Sequence, residues 1–469
     1  MNTIGSFAGE LGTILFPGQV YERLLRETIK RHPRKTFGYL LSSTPAGGPT
    51  DFVLFEDNIR NSRRWQPEFH SYGRYFIDHP DAGFVATPEE TWCVQKDIWA
   101  RGLHEVGVLH SHQRHPANFS LIDWEMHCQR FSGLWHLIIS LRNPLSPQVR
   151  AFGVAEDGVR ELPLRVGNCP VKQSRQNRVT RDAAIARARR LSRPNRDGRP
   201  DLSQAAEIVA AIDTLRDTAG PEGVREVLSD GLQRGSSSRY EDYLRGSMAA
   251  IPAARFEMGT DAKYAGHFCG ESPRHACELS AFRLQRTQVT NELFSLIRPG
   301  RDMPQGEAKK PVAGVTWAQA SLFALWMGCR LPTEAEWEYS CGAGSGSEWC
   351  CESEQQLSGY AWYSANAHDQ VRSAGTREPN SLGLCDMHGN VWEWCQDDYD
   401  QDFYGRAQPV NPLNLHHGGP PSAGERPDKA VRGGSMNALS EMCRTRYRIH
   451  EPADFSAADL GFRLARDEC

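Results

Sequence analysis

Long apolar segments are missing from this sequence of 469 residues, and so is a strong excess of charge of either sign. No apolar run approaches the roughly 20 residues that a membrane-spanning helix needs. The first residues, Met1 to Ser6, lack the basic start and apolar core of a signal peptide. The formal net charge of -4 gives no global indication of nucleic-acid binding. We therefore expect a soluble, cytoplasmic protein whose length is typical of two or three domains.

A disulfide framework is not indicated either, although the chain holds 13 cysteines. No cysteine falls between Cys169 and Cys269, and ten of the 13 lie from Cys269 to the end of the sequence. An odd number of cysteines without a secretion signal is typical of reduced thiols. The adjacent Cys350 and Cys351 have no function that the sequence indicates.

Two histidines follow a short apolar run that predicts a buried strand, Glu105–Leu109. Side chains alternate across a strand, so His110 and His112 lie on one face. Ser120 precedes a helical pattern, and Asp123 falls in its first turn. Two imidazoles and one carboxylate form a three-ligand set that leaves a fourth position on zinc for water. The alternative is that Ser120 and Asp123 form a capping box, which needs no metal.

The spacing of this motif is specific: His-Ser-His, seven residues, Ser, two residues, Asp. It resembles the motif of the JAMM (MPN-domain) metalloproteases, and the resemblance runs from about Tyr21 to Leu164. It implies a zinc hydrolase that acts on the C-terminal tail of ubiquitin-like proteins or of sulfur-carrier proteins ending in Gly-Gly. The residues to which it assigns roles are the metal ligands His110, His112 and Asp123 and the oxyanion donor Ser120.

One position departs from that family. The resemblance places a general-base Glu where this chain has Lys35, at the start of Lys-Thr-Phe-Gly-Tyr-Leu. An ammonium with a pKa near ~10.4 cannot take a proton from water at neutral pH. A buried Lys with a lowered pKa could act as a base; otherwise peptidase activity is lost or altered. Glu56 and Glu105 are the nearest substitutes, but neither fits the pattern.

Other patterns in the N-terminal half predict a sheet flanked by helices. The predicted helices are 18–32 and 88–101, and the predicted strands are 36–41, 51–55, 137–141 and 149–154. An arginine-rich run at 172–199 is typical of a solvated linker or helix surface, although such a run can also bind nucleic acid or an acidic protein face. The segments 202–215 and 223–232 are predicted to form short amphipathic helices. We predict a JAMM-like domain at 1–168, a connector at 169–247 and a second domain at 248–469.

The second domain is rich in Trp, Gly and Cys and contains several distinctive blocks. They begin at Val315 (Val-Thr-Trp), Arg330 (Arg-Leu-Pro-Thr-Glu-Ala-Glu-Trp), Asn380 (running to Glu393-Trp394), Arg432 (Arg-Gly-Gly-Ser) and Leu460 (Leu-Gly-Phe-Arg-Leu). Their order and spacing resemble the formylglycine-generating enzyme (sulfatase-modifying factor) family over about 251–466. The resemblance implies a C-type-lectin-like fold, which makes the whole chain α+β.

That resemblance also implies a calcium site in the C-terminal domain. Its oxygen ligands would be the side chains of Asp386 and Glu393 and the carbonyl groups of Gly389 and Val391. Carboxylate and carbonyl oxygens in a tight turn suit a hard cation. The alternative is that the turn only buries the adjacent Trp392 and Trp394.

A copper site, which the resemblance implies for the true oxidases, is less expected here. The two cysteines that bind copper in those oxidases correspond to Ala438 and Cys443 in this chain. Cu(I) prefers two thiolates, and one cysteine cannot make that site. Cys443, the candidate catalytic thiol, therefore fits a structural role better. No helical module with the histidine triad that holds iron in related enzymes accompanies the domain.

Three functions remain open from the sequence. The first is a zinc hydrolase that acts on the tail, or on a sulfur-linked adduct, of a ubiquitin-like or sulfur-carrier protein, in sulfur metabolism or natural-product biosynthesis. The second is an oxygen-dependent metalloenzyme that acts on a thiol through the C-terminal domain. The third is a non-catalytic binding scaffold. The sulfur connection rests on fold-level analogy between the two families.

Overall fold

The computed structural model describes residues 13–45, 47–155, 158–167, 205, 207, 244, 246–261, 269–297, 304–415 and 428–468. The chain divides into two compact units, Met1–Val171 with Asp261–Pro273 and Lys172–Thr260 with Arg274–Cys469. The predicted basic run and connector helices lie almost entirely outside the described residues. The separate connector therefore stays a prediction.

A six-stranded sheet organises the first unit. Its strands and those of a small second sheet are β1 (Ile14–Pro17), β2 (Phe37–Ser42), β3 (Asp51–Leu54), β4 (His104–His112), β5 (Trp135–Ser140), β6 (Gln148–Ala155), β7 (Gly158–Leu162) and β8 (Leu164–Gly167). The large sheet has the order β3-β2-β4-β5-β6-β7, and β1 pairs with β8. Strands β4 and β5 are parallel, and the other neighbours in the large sheet are antiparallel.

Helices accompany this sheet, as the sequence predicted. They are α1 (Gly18–Arg31), α2 (Gln66–Ser71), α3 (Arg74–Asp78), α4 (Pro88–Ala100) and α5 (Leu121–Met126), followed directly by a π-helix at His127–Phe131 and, much later, a 3-10 turn at Cys269–Glu271. Helix α4 begins at the N-cap Thr87, whose hydroxyl accepts a hydrogen bond from the Glu90 N–H. Helix α1 ends just before Pro33, as expected for a residue that cannot continue a helix.

Strand β4 lies in the middle of the sheet and carries the histidine motif. Its residues Val106, Val108 and Leu109 are buried. At Gly107 a Cβ atom would come within 2.9 Å of the Trp135 ring, so the close approach of β5 requires glycine there. Both histidines were predicted to lie at the end of this strand, and its pairing with β5 does continue to His112.

The second unit also combines helices with short strands. The strands are β9 (Met248–Ile251), β10 (Ala254–Met258), β11 (His275–Leu279), β12 (Phe282–Gln285), β13 (Trp392–Asp398), β14 (Asp428–Arg432), β15 (Arg448–Pro452), β16 (Leu460–Gly461) and β17 (Ala465–Asp467). They form sheets of order β15-β14-β13-β16, β17-β12-β9 and β10-β11. The helices are α6 (Asn291–Phe294), α7 (Trp317–Trp326), α8 (Glu334–Gly342) and α9 (Glu354–Tyr360), with 3-10 turns at Ser295–Ile297, Phe403–Gly405 and Ser440–Cys443.

Four tryptophans fill the core of this unit: Trp317, Trp337, Trp392 and Trp394 are all fully buried. Three of their indole N–H groups donate hydrogen bonds, as those of buried tryptophans usually do. Trp317 and Trp394 donate to backbone carbonyl groups, and Trp337 donates to the Glu393 carboxylate at 2.9 Å. The α+β class predicted from the sequence is confirmed in both units. Over the described residues, no helix has the length and apolar character that crossing a membrane would need.

Candidate metal centre

Three side chains of the first unit converge at the end of β4. The Nε2 atoms of His110 and His112 are 3.0 Å apart, and His110 Nε2 lies 3.3 Å from Asp123 Oδ1. The three candidate ligand atoms all lie within 4.8 Å of one another. The structure therefore brings together the two imidazoles and the carboxylate that the sequence motif predicted. Imidazole nitrogen and carboxylate oxygen are donors that suit zinc.

Backbone contacts orient two of these ligands. The ring of His112 hydrogen-bonds through Nδ1 to the Pro116 carbonyl at 2.8 Å. That bond requires the proton on Nδ1 and leaves Nε2 with a free lone pair, as in many metal-bound histidines. Asp123 uses Oδ2 to accept hydrogen bonds from the Ser120 N–H at 2.9 Å and hydroxyl at 2.6 Å. Its other oxygen, Oδ1, faces His110.

The capping box and the metal site are therefore compatible. Ser120 caps α5, with its hydroxyl oxygen accepting from the Asp123 N–H at 3.2 Å, and both halves of the box are present. One carboxylate oxygen serves the cap while the other joins the ligand cluster. The Ser120 hydroxyl has a single proton, which it donates to Asp123. Its predicted role as an oxyanion donor stays a prediction and requires that this hydrogen bond be broken.

Burial sets the charge state of the cluster. It lowers the pKa of His110 well below the usual range, against the pull of Asp123, and lowers the pKa of His112 to about 4. Burial opposes ionisation of Asp123, but His110, His112 and Lys35 outweigh it and leave its pKa below the usual range. Two neutral imidazoles and one anionic carboxylate are the protonation states that a divalent metal needs.

Lys35 lies at the edge of this cluster. It comes one residue before Thr36, whose carbonyl accepts the Ser111 N–H at 2.9 Å and whose N–H donates to the Ser111 hydroxyl at 2.8 Å. The alternation of strand side chains places Lys35 on the same face as the two histidines. Burial lowers the pKa of Lys35, and Asp123 acts in the opposite direction.

Neither substitute base is available at this end of the strand. Glu56 pairs with Arg31 on the surface. Glu105 lies near the opposite end of β4 and accepts a hydrogen bond from Gln95. Lys35 is therefore the titratable side chain that occupies the position of the expected base.

His115 is a site residue that the sequence motif did not single out. It is 7% exposed, its ring lies 6.0 Å from that of His112, and it packs edge-on against Tyr75. Among the described residues neither of its ring nitrogens has a hydrogen-bond partner. The position of His115 inside the motif could have indicated a site residue. Its burial, however, depends on tertiary packing, which the spacing of the motif does not reveal.

The expected calcium ligands of the second unit lie around the side chain of Gln288, and the calcium site stays a prediction. The carbonyl oxygens of Val391, Gly389 and Asp386 and the carboxylate of Glu393 all lie within 3.3 Å of the Gln288 side-chain nitrogen. One Asp386 carboxylate oxygen, Oδ2, accepts the Gly375 N–H at 2.6 Å, whereas the other, Oδ1, is buried without a hydrogen-bond partner among the described residues. Nothing in the sequence motif pointed to Gln288.

Cys443 is fully buried, and burial raises the pKa of its thiol. Its sulfur packs on Gly434, where a Cβ atom would come within 2.5 Å of it. Ala438, at the other copper-ligand position, is also buried. The Cys443 carbonyl bonds to His388 at 2.7 Å, and that ring accepts the Cys350 N–H at 3.1 Å. These contacts agree with a structural role for Cys443.

Comparisons with known proteins match both halves of the chain. Residues 17–152 match the family of prokaryotic homologs of the JAB domain, and residues 236–468 match the sulfatase-modifying factor enzyme 1-like domain. A formylglycine-generating enzyme of Streptomyces coelicolor is 28% identical over 286 residues, which are 46% of this chain and 88% of that enzyme. The serine/threonine-protein kinase pkn1 of Chlamydia pneumoniae is 37% identical over 226 residues.

The kinase match covers 42% of this chain and only 35% of the kinase. The solved structure of PvdO from Pseudomonas aeruginosa aligns with 47% of this chain and 94% of its own, with 23% identity and a TM-score of 0.41. JAB domains are generally zinc-dependent, and domains of the sulfatase-modifying factor type bind metal. The chain therefore joins an N-terminal domain of the JAB (MPN-like) type to a C-terminal domain of the sulfatase-modifying factor type.

Proposed function

We propose that the N-terminal domain is a zinc-dependent hydrolase that cleaves a sulfur-linked adduct at the C-terminal tail of a ubiquitin-like or sulfur-carrier protein. The observation that supports it most is the convergence of His110, His112 and Asp123, with Lys35 where a carboxylate base is expected. The C-terminal domain then serves as a binding scaffold or partner module in sulfur metabolism or natural-product biosynthesis.

The residues present fit a zinc ion. Two imidazole nitrogens and Asp123 Oδ1 face a common point, and a hydrogen bond to Pro116 or Ser120 orients two of the three ligands. When bound, zinc would lower the pKa of a water molecule and polarise a carbonyl group. The protein would hold the scissile carbonyl beside these ligands, and the half-buried Lys35 would add positive charge next to the developing oxyanion.

The identity of Lys35 favours a sulfur leaving group. Hydrolysis of an amide requires that the departing amine receive a proton, and a carboxylate that first accepts the water proton can deliver it. Lys35 cannot accept that proton as long as its ammonium group stays protonated, which the nearby Asp123 carboxylate favours and burial opposes. In a thioester, water adds to the carbonyl carbon, the carbon–sulfur bond breaks, and the sulfur leaves as a thiolate. A thiol with a pKa near ~8.5 needs no proton to depart, so the products are a carboxylate and a thiolate, and the two protons pass to solvent.

Oxidation of a thiol by the C-terminal domain has weaker support. Ala438 removes one of two expected thiolates, and the other, Cys443, is fully buried. The relatives that share this domain are named as a formylglycine-generating enzyme and as a serine/threonine-protein kinase. The presence of this type of domain therefore does not by itself indicate oxidation of a thiol.

The proposal predicts a preference for thioesters over amides. A Gly-Gly-terminated carrier protein would be joined to the same small group through a thioester in one substrate and an amide in the other. We expect kcat/KM to be higher for the thioester after subtraction of the uncatalysed rate. Lys35→Glu restores a proton-accepting carboxylate, so we expect it to raise amide cleavage by about 10²-fold or more.

Lys35→Met is the matched control, because it removes the charge without supplying a base and should not gain amide cleavage. The double variant His110→Ala/His112→Ala should cleave neither substrate. Comparable thioester and amide rates in the wild type, together with an inert Lys35→Glu variant, would contradict the proposal.

A further inference from the structure

We infer that the C-terminal domain binds a soft, two-coordinate metal ion through the adjacent thiols of Cys350 and Cys351. Both residues line one cavity of about 630 Å³, to which Tyr360 of helix α9 also contributes. Both are free cysteines, Cys350 half-buried and Cys351 buried. Neither family resemblance assigns a role to this pair. The inference concerns the C-terminal domain alone and does not depend on the hydrolase activity of the N-terminal domain.

Two sulfur atoms suit an ion that needs only two ligands. Consecutive Cα atoms are about 3.8 Å apart, so both side chains can reach one ion without a change of fold. Among the described residues, the only three Cys, His, Asp or Glu ligand atoms within 4.8 Å of one another are those of His110, His112 and Asp123. The cysteine pair therefore lacks the third protein ligand that zinc takes. Thiolates select Cu(I), which two of them satisfy.

Hydrogen bonds hold the loop that carries the two thiols. The Cys350 N–H donates to His388 Nε2 at 3.1 Å, and His388 Nδ1 bonds to the Cys443 carbonyl at 2.7 Å. The Ser347 hydroxyl donates to the Cys351 carbonyl at 2.6 Å. Binding costs less entropy when the ligands are already held in place. This anchoring distinguishes the pair from two loose thiols on a surface.

Both thiols are protonated in the absence of a metal. Burial raises the pKa of Cys350 to about 12, and the adjacent Cys351 thiol adds to the effect. The Cys351 thiol donates a hydrogen bond to the Ser353 carbonyl at 3.4 Å. A metal binds the thiolate form, so binding breaks this hydrogen bond and releases two protons to solvent. The oxidation state of the metal does not change, and no oxidant or reductant is needed.

The test titrates Cu(I) into the full chain without oxygen, in competition with the chromophoric chelator bicinchoninate. We expect the wild type to retain about one Cu(I) more per chain than Cys350→Ser or Cys351→Ser. Loss of an outer partner of a metal ligand weakens binding by about 10–100-fold, so loss of a ligand itself should weaken this site by about 100-fold or more. The matched control is Cys93→Ser/Cys128→Ser, which removes two exposed thiols of the N-terminal domain and should retain this Cu(I).

A second measurement on the wild type does not depend on the folding of the variants. Iodoacetamide labelling of each cysteine is followed by mass spectrometry, with Cu(I), with Zn²⁺ or with neither. We expect Cu(I) to protect Cys350 and Cys351 from labelling and Zn²⁺ at the same concentration to leave them reactive.

Three results would overturn the inference. They are equal Cu(I) retention in the wild type and both single variants, protection of the pair by Zn²⁺, and loss of the Cu(I) from Cys443→Ala but not from Cys350→Ser. The last result would place the ion at the position that the related oxidases use.

Discussion

His115 is the residue of the N-terminal domain whose burial most requires an explanation. Its two ring nitrogens have no partner among the described residues, although the side chain is 93% buried beside His112 (7% exposed). A buried polar group without a partner costs the folded state about 1–3 kcal/mol. A substrate carbonyl or amide that reaches the metal centre would supply the missing partner.

We predict that His115→Phe separates stability from activity. Phenylalanine can keep the edge-on contact with Tyr75 and removes the unpaired nitrogens, so Tm should stay the same or rise. Cleavage of the thioester substrate should fall by about 10-fold or more because a substrate contact is lost. His79→Phe is the control: His79 also packs on Tyr75, but its Nδ1 is bonded to the Tyr75 carbonyl. A lower Tm with unchanged kcat/KM in His115→Phe would contradict this role.

The sequence could locate the three metal ligands because they lie within 14 residues, on one strand and the first turn of the following helix. Lys35 could be found from a resemblance that covers the strand directly after it. His115 and Gln288 could not be assigned, because their roles follow from burial and from neighbours distant in the chain. Gln288, for example, contacts the Glu393 side chain 105 residues away.

The π-helix after α5 and strand β5 each carry a buried histidine. The π-helix after α5 places His127 Nδ1 at 3.0 Å from Nε2 of His136 on β5. Burial lowers the pKa of His136 to about 3 and that of His127 below its usual value. The π-helix was not predicted, because its formation depends on packing against β5.

These histidines predict that the metal-free N-terminal domain loses stability in mild acid. Unfolded His titrates near ~6.5, whereas folded His136 titrates at about 3, so the unfolded state binds more protons between these values. The stabilising contribution is complete above pH ~6.5 and decreases as the pH falls toward 3. His136 alone accounts for about 2 kcal/mol between pH 7.5 and pH 5.

The check is urea unfolding of EDTA-treated protein at pH 7.5 and pH 5.0. Unfolding of the N-terminal domain is measured as protease cleavage within the segment 104–140. His136→Gln cannot take up a proton there, so its loss between the two pH values should be smaller than that of the wild type. Equal losses in both proteins would show that His136 does not titrate as its burial requires.

At the scale of the whole molecule, the chain combines two domain types whose order was predictable from motifs. The JAB-type motif depends on a few ligands at fixed spacing, and the C-terminal blocks depend on buried tryptophans and their capping residues. Both patterns are local in the sequence, which is why the sequence was sufficient to predict the two domain types. The connector between them has no such pattern, and its predicted helices lie outside the described residues.

The metal content of the purified full chain tests most directly whether the N-terminal domain is a zinc site. We predict about one zinc per chain in the wild type, bound by His110, His112 and Asp123. The His110→Ala/His112→Ala variant should contain none, whereas His115→Phe, which alters a neighbouring histidine outside the ligand set, should keep it. If the double variant retained as much zinc as the wild type, the assignment of these three residues as the metal ligands would be wrong.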